Sequence, residues 1–138
     1  MTTLSDIYDS FLSKIADYNL ASLVDTDLKD ELFGYFKPAR AKFYKCKKVL
    51  DLKDDSLTFV EELSDYEIEI IVQLMLVEYM KPLILTSEIT KQALSDKDFK
   101  IWSQANHLRE LNLLYRLFQK EAEKMITKYL YMELTDKW

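Results

Sequence analysis

The chain has 138 residues, of which 49% are hydrophobic and 31% charged, and it carries a formal net charge of -5. A protein of this size folds to a surface of about 7,500 Å² from roughly 24,000 Å² extended, enough to bury one core within a single domain spanning 1–138. One Gly, two Pro, one Cys and one His leave too little material for a turn-rich β fold, a disulfide framework, a cysteine-rich metal site or a Gly-rich phosphate loop. The expected fold is therefore all-α: a helical bundle of about four main helices, without catalytic centre or cofactor.

Leu4, Ile7, Tyr8, Phe11, Leu12, Ile15 and Tyr18 recur at steps of three and four, which predicts an amphipathic first helix over about 5–18. Its acids Asp6, Asp9 and Asp17 sit inside the apolar pattern, which a secretory leader would not tolerate. Asp25, Thr26 or Asp27 can cap a second helix with apolar face Leu28, Leu32, Phe33, Tyr35 and Phe36, continued by Ala39, Phe43 and Tyr44. Pro38 removes an internal donor and predicts a kink near 34–38. From 47 to 63 the periodicity fails, and Leu57, Phe59 or Val60 is left to anchor a long loop.

Ser64-Asp65-Tyr66-Glu67 has capping-box spacing before a dense apolar run, so a third helix is expected over about 65–83. Ile68, Ile71, Val72, Met75, Leu76, Tyr79 and Met80 form its main face, while Ile70, Leu74 and Val77 lie outside that face. A helix apolar over most of its girth is central or meets another chain. The run Ile71 to Met80 is too short for a bilayer, which needs ~20 apolar residues. After Pro82 a short turn over 87–94 is expected, then a long final helix. Ile101, Ala105, Leu108, Leu111, Tyr115, Phe118, Ala122, Met125 and Tyr129 give it a sustained stripe, with no Gly or Pro from Asp96 onward. About 34 residues would make roughly 50 Å, longer than a compact domain of this size, so one end should project or pack on a neighbour. Residues 129–138 could leave the helix as an extended docking arm.

Two features point to partners. Lys37, Arg40, Lys42, Lys45, Lys47, Lys48 and Lys53 face only Asp51 between 37 and 53, a local charge of +6 in an acidic chain. Such a segment suits phosphates, an acidic protein surface or simply solvent, and the acids from Asp54 to Glu69 could neutralise it internally. In the tail, Tyr129, Tyr131, Leu134 and Trp138 have the residue types that anchor interfaces. His107 lacks a Glu-x-x-His pairing and reads as a polar or capping residue. Cys46 reads as a small buried hydrophobe.

Taken in order, FLSKIADYNLASL, FYKCKKVLDL, ELSDYEIEIIVQLMLVEYMKPLI, LSDKDFKIWSQANHLRELNLL and the ending KYLY resemble the head-tail connector proteins of tailed bacteriophages, the adaptor or neck family. The resemblance covers most of the chain, and its most specific part is Asp98-Phe99 with Ser103-Gln104-Ala105-Asn106-His107-Leu108. It implies a non-catalytic virion protein, assembled in the cytoplasm of the bacterial host. Such a protein forms a usually dodecameric ring under the portal protein, lengthens the DNA channel and docks a stopper or tail protein. DNA would pass without specific binding, and no membrane is involved. In similar adaptors the C-terminal segment reaches into the portal or a neighbour, which here falls on Tyr129 to Trp138. A small helical nucleic-acid-binding regulator using the basic segment is the rival reading.

Overall fold

The computed structural model describes residues 1–15, 25–55, 57–93 and 98–136, with side chains described up to Thr86 in the third helix and from His107 to Met132 in the fourth. Among these residues the chain is all-α, with four helices: α1 Leu4–Ser13, α2 Asp25–Lys42, α3 Asp65–Ala93 and α4 Asp98–Asp136.

Two of the helix starts show their chemical cause. At α1, Thr3 accepts from the Asp6 amide at 3.2 Å while Asp6 accepts from the Thr3 amide at 3.0 Å, a reciprocal capping box. Ser64 and Glu67 repeat the motif at α3: the Glu67 amide donates to Ser64 at 3.2 Å, and the Ser64 amide donates to Glu67 at 2.7 Å. The expected box is therefore present. At α2 the helix already includes Asp25, so Thr26 and Asp27 fall within its first turn rather than before it.

Neither proline ends its helix, against the expectation for Pro82. α2 runs unbroken through Pro38, whose missing amide would have served the carbonyl of Gly34, an exposed position where water can take over. α3 likewise continues through the exposed Pro82 to Ala93 and absorbs the separate turn expected at 87–94. One lost hydrogen bond is outweighed by a helix already held on several sides. α1 ends at Ser13, short of its expected span: Lys14 and Ile15 lie beyond the helix, and 16–18 fall outside the described residues.

α3 is the axis of the bundle and packs against α1, α2 and α4. That explains its composition: Ile70, Ile71, Val72, Leu74, Met75, Leu76, Val77 and Met80 are all buried, so no side is left for solvent over this stretch. Phe11, Tyr35 and Tyr79 close a three-ring contact between α1, α2 and α3, with centroids 5.8–5.9 Å apart. Tyr8 on α1 is buried, and burial together with the Asp30 carboxylate pushes its hydroxyl up to about 12. Two α3 side chains fix the register of α4. Tyr66 donates to the Met125 carbonyl and Gln73 to the Phe118 carbonyl, both at 3.2 Å. Seven residues forward on α3 match seven residues backward on α4, so the two helices are antiparallel.

The segment between α2 and α3 wraps the N-terminus. Phe59 is its buried anchor, set against Phe36 at 5.9 Å, whereas Leu57 and Val60 are exposed. The Leu4 amide donates to Leu57 and the Phe59 amide to Thr2, at 2.9 and 3.0 Å. Thr2 is itself buried, and its hydroxyl accepts from the Leu63 amide at 2.9 Å. Asp55 accepts from the amides of Leu57 and Thr58, which hold its carboxyl below the ordinary carboxylate range.

α4 is longer than expected, 39 residues or roughly 58 Å. It stays helical to Asp136, so residues 129–136 do not form an extended arm. The run from Tyr129 to Asp136 contains no Gly or Pro to stop it, and Leu130, Met132 and Glu133 are good helix formers.

Candidate functional site

The basic segment and the C-terminal tail meet each other in this fold. Lys37, Arg40 and Lys42 lie on the last turns of α2, and Lys45, Lys47, Lys48 and Lys53 on the segment that follows. That segment crosses α4 at Tyr129. Tyr129 is only 9% exposed: its ring meets Phe43 edge-on at 5.5 Å, stacks on Tyr66 at 6.5 Å, and lies 5.2 Å under the Lys47 ammonium. Its hydroxyl donates to Glu67 at 2.7 Å and accepts from the Lys47 amide at 3.2 Å. Tyr129 is thus a core residue joining α4 to α3 and the intervening segment, not a docking residue of a free tail. A long polar side chain whose ring is buried needs a partner for its hydroxyl, and Glu67 supplies it.

Glu67 is the hub. It is 2% exposed and takes four donors: the Ser64 amide, the Tyr129 hydroxyl, the Lys48 ammonium at 3.1 Å and the Cys46 thiol at 3.6 Å. Burial pushes its carboxyl upward, but the bonds from Ser64, Tyr129 and Lys48 outweigh it and leave the group below 4.5. The same burial, with the Glu67 carboxylate nearby, raises the Tyr129 hydroxyl. Cys46 is half-buried with its sulfur toward these polar groups rather than wholly apolar ones. Burial first, and Glu67 with it, hold its thiol above 9.0, so it stays protonated and a poor nucleophile at neutral pH.

A second buried carboxylate neutralises the other end of the segment. Glu78 on α3 is 9% exposed and pairs with Lys42 from α2 and with Lys81 at 3.0 Å. Its burial is again outweighed by these ammonium groups, so its carboxyl also lies below 4.5. Of the remaining bases, Arg40 lies over the Phe36 ring and reaches the Leu50 carbonyl at 3.5 Å. Lys45 lies near Tyr44, Lys53 near the Met1 sulfur, and Lys37 is exposed. The basic segment is therefore not a continuous phosphate-facing strip: Lys42 and Lys48 are tied into α3.

Tyr131 is exposed, Leu134 belongs to α4 with its side chain outside the described residues, and Trp138 lies outside them altogether. A shallow cavity of about 220 Å³ sits between Lys42, Tyr44 and Lys45 on one side and Glu123, Ile126 and Thr127 of α4 on the other. An open cleft of about 450 Å³ near the N-terminus is lined by Asp6, Asp9, Glu62, Asp65 and Glu69. Among the described residues no group of His, Cys, Asp or Glu could hold a metal ion, and no helix is long and apolar enough to cross a membrane.

What the sequence reading missed is on the solvent side of α4. Leu113 and Leu117 are 53% and 61% exposed on the side away from the stripe that meets α3, and Leu114, 40% exposed, lies at the edge of that stripe. Their signal was available as leucines left over once that stripe is removed. Comparison of the chain with family models, curated proteins and solved structures finds no match.

Proposed function

We propose that this chain is a non-catalytic structural subunit of the neck of a tailed bacteriophage, a head-tail adaptor. In this role it would bind the portal protein, form a ring, dodecameric as its resemblance implies, and extend the DNA channel toward a stopper or tail protein. The observation that carries the reading is an uncovered apolar side on the longest helix. α4, roughly 58 Å long, carries Leu113 and Leu117 more than half exposed on its outer side. Such a subunit completes its burial against neighbours.

The internal pairing of Lys42 and Lys48 supports passage of DNA over a tight grip on it, and weighs against the regulator reading. Imaging of assembled particles tests the proposal: density for this chain in a ring beneath the portal is expected. Particles in which the chain is absent from the neck, or duplex-DNA binding with a steep salt slope by the free protein, would overturn it.

A further inference from the structure

The outer face of α4 between Arg109 and Glu121 has an internal order. At 100° per residue, Leu113 and Leu117 form a central ridge, and Leu114 lies at the far edge of its acidic side. Arg109, Arg116 and Lys120 fall on one flank of that ridge, and Glu110 and Glu121 on the other. All eight side chains are exposed. Lys124 sits on the ridge line and ends its apolar stretch.

We infer that this face binds a second copy of the same chain, with the two α4 helices side by side and parallel. When two such faces meet in parallel, the acidic flank of one lies against the basic flank of the other. In the antiparallel arrangement like flanks would meet: Glu110 near Glu121, and Arg109 near Lys120. The leucines supply the desolvated centre and the charges set direction. A face that meets its own copy closes a pair, so the contact goes beyond the ring of the neck reading, which needs a different, head-to-tail interface.

Sedimentation of the full chain over rising concentration tests it, with circular dichroism as the folding control. Reversible association of the natural chain is expected. Leu117→Glu should weaken it by at least about tenfold. Glu110→Lys/Glu121→Lys makes both flanks basic, and Arg109→Glu/Arg116→Glu/Lys120→Glu makes both acidic. Each should associate at least about tenfold more weakly alone, and an equimolar mixture should recover association. A spin label on a Lys124→Cys, Cys46→Ala chain should report a short label-to-label distance, whereas antiparallel helices centred on Tyr115 would separate the labels by roughly 27 Å along the axis.

A natural chain that stays monomeric at millimolar concentration assigns the face to a different partner and overturns the inference. So does unchanged association of Leu117→Glu, or the long label distance. Particle imaging decides the neck reading separately: a chain missing from the neck sinks that reading while leaving the sedimentation result intact.

Discussion

α3 and α4 are both long helices rich in leucine and other apolar residues, yet they occupy different environments. From Ile70 to Met80 α3 is enclosed on all sides by α1, α2 and α4. α4 meets α3 along one stripe, through Leu108, Ala122 and Tyr129, and leaves Leu113, Leu114 and Leu117 to solvent. Apolar residues around a helix therefore carry two meanings. Three packed neighbours account for those of α3 within one chain, while nothing among the described residues accounts for the outer leucines of α4.

The sharpest way to break this contrast is to place the same charge on each helix. Leu76 on α3 is 5% exposed, and Leu76→Asp puts an unpaired carboxylate where no partner can reach it. A loss of at least about 4 kcal/mol is expected, enough to unfold a marginal domain. Leu117→Asp on α4 should change stability by no more than about 0.5 kcal/mol, because the position is already wet. Thermal melting of the pair decides it. Equal destabilisation would mean that α4 is enclosed as α3 is.

The second effect, smaller, concerns the polar junction that ties the two helices. Tyr129→Phe keeps the ring against Phe43 and Tyr66 but removes the hydroxyl that donates to Glu67 and accepts from the Lys47 amide. A cost of about 1–3 kcal/mol in denaturant unfolding is expected, since buried groups lose partners while the packing stays. No change in the unfolding midpoint would show that water replaces the hydroxyl at no cost.

That junction also marks how far a single sequence can be read. The α4 stripe was legible because steps of three and four are local, and Leu108, Leu111, Tyr115, Phe118, Ala122, Met125 and Tyr129 do turn inward or partly inward. The Ser64–Glu67 box was legible for the same reason. Its second task was not: Glu67 meets Tyr129 across 62 positions, and Lys47 meets Tyr129 across 82. Pairings of that separation leave no local pattern, so Tyr129 could be placed both on the stripe and in a docking tail, and packing resolves the conflict for the stripe. Pro82 shows the opposite failure. A local breaker was read correctly as costly, but the cost was overruled by a helix with neighbours on three sides.

Acid should act on the same junction. Glu67 and Glu78 have folded values below 4.5, their unfolded reference. Their contribution to stability is therefore complete above that pH and is lost as pH falls through the folded values. Stability should decline on acidification below about pH 4.5, and Glu67→Gln should flatten that decline while lowering stability near neutrality. An acid limb identical in slope for the variant and the natural chain would remove Glu67 as a cause.

The smallest effect on folding is expected at the end of α4. Deleting the residues after Met132 takes away the last helical turn but leaves Tyr129, Glu67 and the ring contacts in place. The melting temperature should move by no more than about 3 °C, because the last turn of a helix contributes little unless it is packed. Under the neck reading the same truncation weakens attachment in the virion. Cutting four residues earlier, after Lys128, removes Tyr129 and should destabilise the fold at least as much as Tyr129→Phe. The two cuts thus locate the boundary between core and terminus. If the shorter deletion alone unfolds the chain, the terminal turn belongs to the core. If neither does, the Tyr129 junction contributes far less than its geometry implies, and the distinction between the inner stripe and the free end of α4 fails.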